Sequence, residues 1–375
     1  MRIVLLSAAC SVHTRQWAVA LTAKGHSVEV VSLPEHAAGP YDYPPEIPVR
    51  ILGPLPGVAA GTAALRRLLR DSRPDILSAH TAVYGALAVR SGFFPMLLTV
   101  WGSGLPDAGE AKLRELRRLR RMVGDAYALS AVWPCVGRRL RKQYGARGPV
   151  YATPFGVDTA LFRPIASRRP PVKDCLTIGM VKQLERETGT EVLLRAYALL
   201  RGRLMQAGAV PAGGMRLRLY GSGPETHPLM ELAAALGLED EVTFLGGVPH
   251  AHMPGMLSGM DFVCLPCVAE SASYGTAPAE AMACGLPVIA SDLPGFRETV
   301  ENGRTGFLVP PGDAEMMADK MELLALTPRL CQAMGMAGRR MVKEKLDAAH
   351  SADALEAALL EAADPAFGRK VLALG

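Results

Sequence analysis

Short runs of apolar and β-branched residues recur along this chain, with an amphipathic segment after almost every one, and no other property narrows the fold so far. The first run is Arg2 to Ser7; a helical pattern follows through Gln16 to Lys24, and the turn Gly25-His26 leads into Val28 to Leu33. Asp75 to His80, Met96 to Val100, Ala126 to Ser130 and Val150 to Pro154 continue the series. Such alternation predicts a parallel sheet with helices on both faces. Proline and charge interrupt it from Phe162 to Pro171, as a linker would. Strands then resume at Leu176 to Met180, Arg216 to Tyr220, Val242 to Leu245, Asp261 to Leu265 and Val288 to Ser291. From Asp313 onward the pattern is nearly all helical, and Ser351 to Ala363 is a candidate to cross back and brace the first domain. The expected division is an α/β domain over 1–164, a second over 165–345, and a C-terminal helical segment over 346–375. Ligands of open parallel sheets settle at the carboxyl ends of strands. Two such sheets facing a central cleft would hold the active site between them.

Composition excludes other classes. Of 375 residues 49% are hydrophobic and 21% charged, too apolar for a disordered chain. No stretch approaches the ~20 uninterrupted apolar residues of a spanning helix. Ile3 to Leu6, ahead of Ser7-Ala8-Ala9-Cys10, is far shorter than the ~7–15 residues of a signal-peptide core. Seven scattered cysteines, an odd number, argue for a reducing, cytoplasmic setting rather than a disulfide framework. Cys264 and Cys267 form one C-x-x-C inside an apolar run with no second pair at zinc spacing, so core packing is expected. Up to Pro164 there are 21 Lys and Arg against 11 Asp and Glu, and after it 20 against 25. The two halves therefore face different partners.

The densest motif runs from Tyr274 to Ser291. A Gly-containing loop enters a short helix with Pro278 in its first turn, and Gly285 ends that helix before a buried strand. Unpaired N–H groups at Gly275 and Thr276 would suit a diphosphate, and Glu280, one turn on, would suit ribose hydroxyls. An ordinary helix with a solvated Glu is the plainer alternative.

Together with Tyr220-Gly221-Ser222-Gly223-Pro224, Val242 to Gly246, Pro294 to Glu298, Gly303 to Pro310, Gly25-His26, Trp101-Gly102-Ser103 and Pro154 to Asp158, this motif resembles the retaining glycosyltransferase family 4. The resemblance covers nearly the whole chain. It implies the GT-B fold of two Rossmann-like domains, with a nucleoside diphosphate sugar, UDP- or GDP-linked, held mainly by the second. The family signature has two Glu separated by seven residues, the first at the donor sugar and the second at the ribose. Glu280 matches the second, but the first position is Ala272. Read with two inserted residues, Glu270 takes that place; otherwise it is a solvated loop charge.

A second departure concerns the diphosphate. Ile178 to Gly189 resembles the stretch that carries two basic residues; Lys182 matches the first, whereas Glu187 stands at the second with Arg186 beside it. A carboxylate ~4 Å from a phosphate is repelled by roughly 4 kcal/mol at an effective dielectric of 20. Either Arg186 replaces the cation while Glu187 turns outward, or the site is weakened.

In the first domain, Ser11 to Trp17 follows a strand and opens a helix, resembling a bacterial His-Thr-x-x-Trp subgroup. His13 and Thr14 would then point toward the acceptor or diphosphate while Trp17 packs inside. His80 and Trp101 end strands, and relatives seat the donor sugar at the position of Trp101; the Asp that close relatives carry at position 104 is Gly104 here. The resemblance thus assigns Lys182, Arg186, Glu270 and His13 to catalysis, and Ser273, Tyr274, Gly275, Thr276, Glu280, Trp101 and His80 to the donor. A strand-end histidine is also commonly structural.

Lys112 to Met122 carries six cations and one acid, with Leu113, Leu116 and Leu119 every third residue. This pattern fits peripheral contact with anionic membrane, extended by Arg66, Arg67 and Arg70, or a solvated face whose leucines pack inward. No aromatic-lined basic groove accompanies it, which argues against nucleic acid.

The expected activity is retaining transfer of a sugar to a lipid-linked or polysaccharide hydroxyl, in which the leaving diphosphate takes the acceptor's proton. No cofactor and no metal are expected, since Lys182, Arg186 and nearby N–H groups stabilise the leaving charge. The alternative is a degenerate nucleotide-sugar-binding protein without transfer, suggested by Ala272 and Glu187. A nicotinamide dehydrogenase fails because no G-x-G-x-x-G joins the first strand to its helix.

Overall fold

The structure is a computed structural model that describes the chain apart from residues 38, 40–41, 54–56, 103–104, 107–112, 166–174, 365 and 367–375. Ser103, Gly104, Lys112 and most of the expected linker lie outside the described residues. The chain divides into two units, one of Met1–Gly156 with the segment from Ala348 onward, the other of Val157–Asp347.

The first unit is built on a seven-stranded parallel sheet of β1 (Arg2–Leu6), β2 (Ser27–Ser32), β3 (Val49–Ile51), β4 (Ile76–His80), β5 (Met96–Val100), β6 (Ala128–Ala131) and β7 (Val150–Ala152), ordered β3-β2-β1-β4-β5-β6-β7. Register is set from β1, whose Ile3 lies beside Val28 on one side and Ile76 on the other. β4, β5 and β6 are buried along their whole length, which is why they read as mainly apolar runs, and their few polar residues, Ser78, His80, Thr99 and Ser130, find side-chain partners inside. The intervening helices are α1 (Val12–Ala23), α2 (Val58–Ser72), α3 (Thr81–Ser91), α4 (Leu113–Gly124) and α5 (Pro134–Tyr144). Ser11 caps α1 by accepting the N–H of His13, and Pro134 and Gly145 bound α5.

The second unit carries a six-stranded parallel sheet of β8 (Leu176–Val181), β9 (Met215–Tyr220), β10 (Val242–Phe244), β11 (Phe262–Leu265), β12 (Val288–Ser291) and β13 (Gly306–Val309), ordered β10-β9-β8-β11-β12-β13. Its helices are α6 (Thr190–Gln206), α7 (Thr226–Ala235), α8 (Met253–Leu257), α9 (Ala277–Ala283), α10 (Pro294–Arg297), α11 (Ala314–Leu326) and α12 (Pro328–Lys345). The core here is continuous from Ile178, Leu217 and Phe262 in the sheet to Leu193, Tyr197 and Leu200 on α6 and Met317 and Met321 on α11.

The last helix, α13 (Ala348–Ala363), belongs to the first unit. Trp17 of α1, 2% exposed, donates its indole N–H to Ser351 Oγ at 2.9 Å, and that hydroxyl donates to the Pro154 carbonyl at 2.6 Å. Lys24 pairs with Asp353 and Glu356 at the far end of the same contact.

Candidate active site

In the second unit, Lys182 follows β8 directly, and its surroundings are fixed by backbone. Its N–H donates to the Tyr220 carbonyl at 3.0 Å, and the Leu184 N–H donates to that of Ser222 at 3.1 Å. This zips the segment after β8 onto the turn after β9. Gly221 permits the approach: it sits at φ +142°, and a Cβ there would stand 1.8 Å from the Lys182 carbonyl oxygen.

The Lys182 side chain crosses to the loop after β11, where Nζ donates to the Ala272 carbonyl at 2.8 Å and lies 6.0 Å from the Phe296 ring centre. Thus the position at which the resemblance expects a carboxylate presents a main-chain carbonyl to the ammonium. Cys267 Sγ shares that carbonyl at 3.5 Å. Burial pushes its thiol pKa up, with the Lys182 charge opposing. Both cysteines of the C-x-x-C are buried, as their apolar context requires.

Arg186 and Glu187 occupy a short 3-10 turn, Arg186–Thr188, with both side chains exposed. Glu187 contributes through its backbone: its carbonyl accepts the N–H of Val268 at 2.9 Å, tying this turn to the loop after β11. Thr188 points inward and donates to the Glu185 carbonyl at 2.7 Å.

The loop between β11 and α9 carries the other expected residues. The Glu270 carboxylate accepts a hydrogen bond from the Tyr274 hydroxyl. Ser273, also assigned to the donor, is buried, donating to the Glu270 carbonyl at 2.7 Å and accepting the Gly295 N–H at 3.1 Å. Its hydroxyl fastens the loop to α10. Gly275 adopts φ +150°, and a Cβ at this position would lie 4.0 Å from Lys182 Nζ. α9 then begins, two turns long, with Pro278 in its first turn. Glu280 is buried, and its Oε1 accepts from the Thr276 hydroxyl at 2.6 Å and meets His250 Nε2 at 3.0 Å. Sequence reasoning missed His250, although it follows Pro249 at the carboxyl end of β10, where ligand-facing loops belong.

In the first unit, the three expected residues gather at the carboxyl ends of the strands but in different environments. His80 is fully buried, with Nδ1 3.0 Å from Ser7 Oγ and Nε2 3.1 Å from Ser78 Oγ; Ser7 in turn bonds Thr14. Burial pulls the pKa of His80 down to about 3, so the ring is neutral. Both ring nitrogens serve a polar network inside the sheet, the structural role that a strand-end histidine also admits. His13 and Trp101 are partly exposed. The His13 ring stacks on Phe155 with centres 3.8 Å apart and planes 12° apart, and Trp101 meets Phe155 edge-on at 5.2 Å. Phe155, noted in the sequence only as part of the Pro154 to Asp158 motif, touches both rings and Trp17 as well.

Comparison with known proteins gives the chemistry its frame. Residues 165–341 match the model for glycosyl transferases group 1, and residues 2–122 match that for glycosyl transferase 4-like domains. The chain is 28% identical over 308 residues to the GDP-mannose-dependent alpha-(1-6)-phosphatidylinositol monomannoside mannosyltransferase of Mycolicibacterium smegmatis, covering 78% of this chain and 77% of the relative. It is 29% identical over 364 residues to the D-inositol 3-phosphate glycosyltransferase of Kribbella flavida, covering 90% and 82%. The sucrose-phosphate synthase of Thermosynechococcus elongatus superposes with a TM-score of 0.83 over all of both chains at 22% identity, a likeness of fold. With both of its halves matched by glycosyltransferase models and two parallel sheets of the same architecture, this chain belongs to the group 1, family 4-like glycosyltransferases of GT-B fold.

Proposed function

We propose that this glycosyltransferase moves a hexosyl unit, with retention of configuration, from a UDP- or GDP-linked sugar to a hydroxyl of a lipid-linked or polysaccharide acceptor in cell-surface glycan synthesis. The observation that carries the reading is the placement of the Lys182 ammonium between the Ala272 carbonyl and the Gly275 turn, one short loop from the buried Glu280. In this reading Lys182 offsets the charge that develops on the leaving diphosphate, with the exposed Arg186 as the second cation. Glu280 receives the ribose hydroxyls, and Glu270, oriented by Tyr274, reaches the donor sugar. Attack and departure share one face, and a diphosphate oxygen takes the acceptor's proton. His13 and Trp101 offer the acceptor side a pair of ring surfaces. The acceptors named for the two relatives, a phosphatidylinositol mannoside and an inositol phosphate, favour a phosphorylated or lipid-linked polyol.

Peripheral contact with anionic membrane belongs to the same proposal. Along α4, Leu119 packs inward, Leu116 is half-buried and Leu113 is exposed, while Arg114, Arg117, Arg118, Arg120 and Arg121 are all exposed. The contact is then mainly electrostatic, worth ~1 kcal/mol per cation near the surface. Among the described residues no helix is long and apolar enough to cross a membrane.

A thermal-shift screen with UDP, GDP and ADP tests the donor site, since a ligand at 100 times its Kd adds ~2.7 kcal/mol of stability. Transfer from the matching sugar nucleotide, with the anomer read by NMR, tests retention. Absence of any shift with all three nucleotides would remove the assignment of Lys182 and Glu280.

A further inference from the structure

We propose that His250 is a positioning residue for the donor nucleotide: it holds the carboxylate of Glu280 at the angle at which that group receives the ribose hydroxyls. This rests on the reading of Glu280 given above. Glu280 lies in the first turn of α9 and is almost fully enclosed, and a carboxylate so placed needs hydrogen-bond donors to remain there. One donor, the Thr276 hydroxyl at 2.6 Å, comes from its own helix start. A second, His250 Nε2 at 3.0 Å, comes from the segment after β10. Both converge on Oε1. Two donors on one oxygen from different directions fix the rotation of the carboxyl group, which neither would do alone. Because a carboxylate oxygen accepts here, Nε2 carries the proton.

His250 is itself held. Its ring packs against Phe162, centres 5.0 Å apart and planes inclined by 51°, and Phe162 is 1% exposed. Arg339 of α12 donates to the Phe162 carbonyl at 3.1 Å and also to the carbonyl of Ala283, the last residue of α9. The imidazole thus rests between α9 and a segment clamped to that same helix. The charged group that acts on the ring is Glu280, while Arg339 reaches the carbonyl of the Phe162 beneath it. Burial lowers the imidazole's proton affinity, but the hydrogen bond and charge of Glu280 outweigh it and the pKa is raised.

The test measures calorimetric affinities of UDP, GDP and ADP, of their 2′,3′-dideoxy counterparts and of inorganic pyrophosphate for the full chain, its His250→Leu variant and its His250→Gln variant. The expected result is a loss of about tenfold for the best-binding ribonucleotide in His250→Leu, on the scale of one hydrogen bond to a charged group. That loss should be absent for the dideoxy nucleotide and for pyrophosphate, and largely recovered in His250→Gln, whose amide retains a donor. An equal loss for ribo- and dideoxynucleotides would place His250 at the base or the fold rather than behind the ribose, and overturn the inference, as would no loss at all. Wild-type protein that binds pyrophosphate but shows no ribose preference would overturn the role of Glu280, and this inference with it. Binding of none of the probes would remove the donor site itself.

Discussion

Acidification should destabilise the first unit through His80, and the size of the effect follows from its burial. The ring is fully enclosed and titrates near pH 3 when folded, against an ordinary value of 6.5. Below pH 6.5 the unfolded chain takes up a proton at this residue that the folded unit refuses, so stability falls as pH falls and is recovered as pH rises through 6.5. The slope is about 1.4 kcal/mol per pH unit, giving a loss of about 2 kcal/mol between pH 7 and pH 5 and roughly 4–5 kcal/mol by pH 3. Fluorescence isolates the effect, because the protein's three tryptophans, Trp17, Trp101 and Trp133, all lie in this unit, and Trp17 is 5.1 Å from the His80 ring. Urea unfolding followed by tryptophan emission at pH 7 and pH 5 should show wild type losing about 2 kcal/mol more than His80→Gln, which keeps a polar group between Ser7 and Ser78 but cannot titrate. Parallel losses in the two proteins would refute the reasoning.

Lys182→Ala should lower sugar transfer roughly 10²–10³-fold with little change in melting temperature, whereas Lys182→Arg should retain part of the rate; steady-state kinetics with the preferred donor would decide. Gly221→Val should destabilise the second unit by at least 1–3 kcal/mol and abolish nucleotide binding, because its Cβ would collide with the Lys182 carbonyl, as read by a combined melting and binding assay. Replacing Arg117, Arg118 and Arg121 by Gln should weaken co-sedimentation with anionic vesicles at low salt, and 1 M salt should do the same to wild type; binding insensitive to both would exclude an electrostatic contact.

The sheets were legible because their central strands are buried on both faces and written as apolar runs. β3 was not: Val49-Arg50-Ile51 is an exposed edge strand three residues long, with no pattern to announce it. β13 appeared in the sequence only as the motif around Gly306. Around the candidate site, Lys182, Gly275 and Glu280 could be singled out because loop chemistry calls for those residue types after strand ends, and the structure brings Lys182 close to the Gly275 turn. The role of Ala272 was invisible, since it acts through a carbonyl that every residue possesses. The internal partners of Ser273 and His80 were equally hidden, because a hydroxyl or imidazole has the same letter whether it faces a ligand or a neighbouring polar group. His250 was overlooked because its partner, Glu280, lies 30 residues away.

The handshake of Trp17 with Ser351 sets an order of events during synthesis. A ribosome releases α1 more than 300 residues before α13, so the apolar flank of the nascent first unit stays uncovered while the second unit emerges and folds. The unit begun first is completed last, and a chain cut short anywhere before residue 348 would leave that flank open to aggregation even with every residue of the second unit in place.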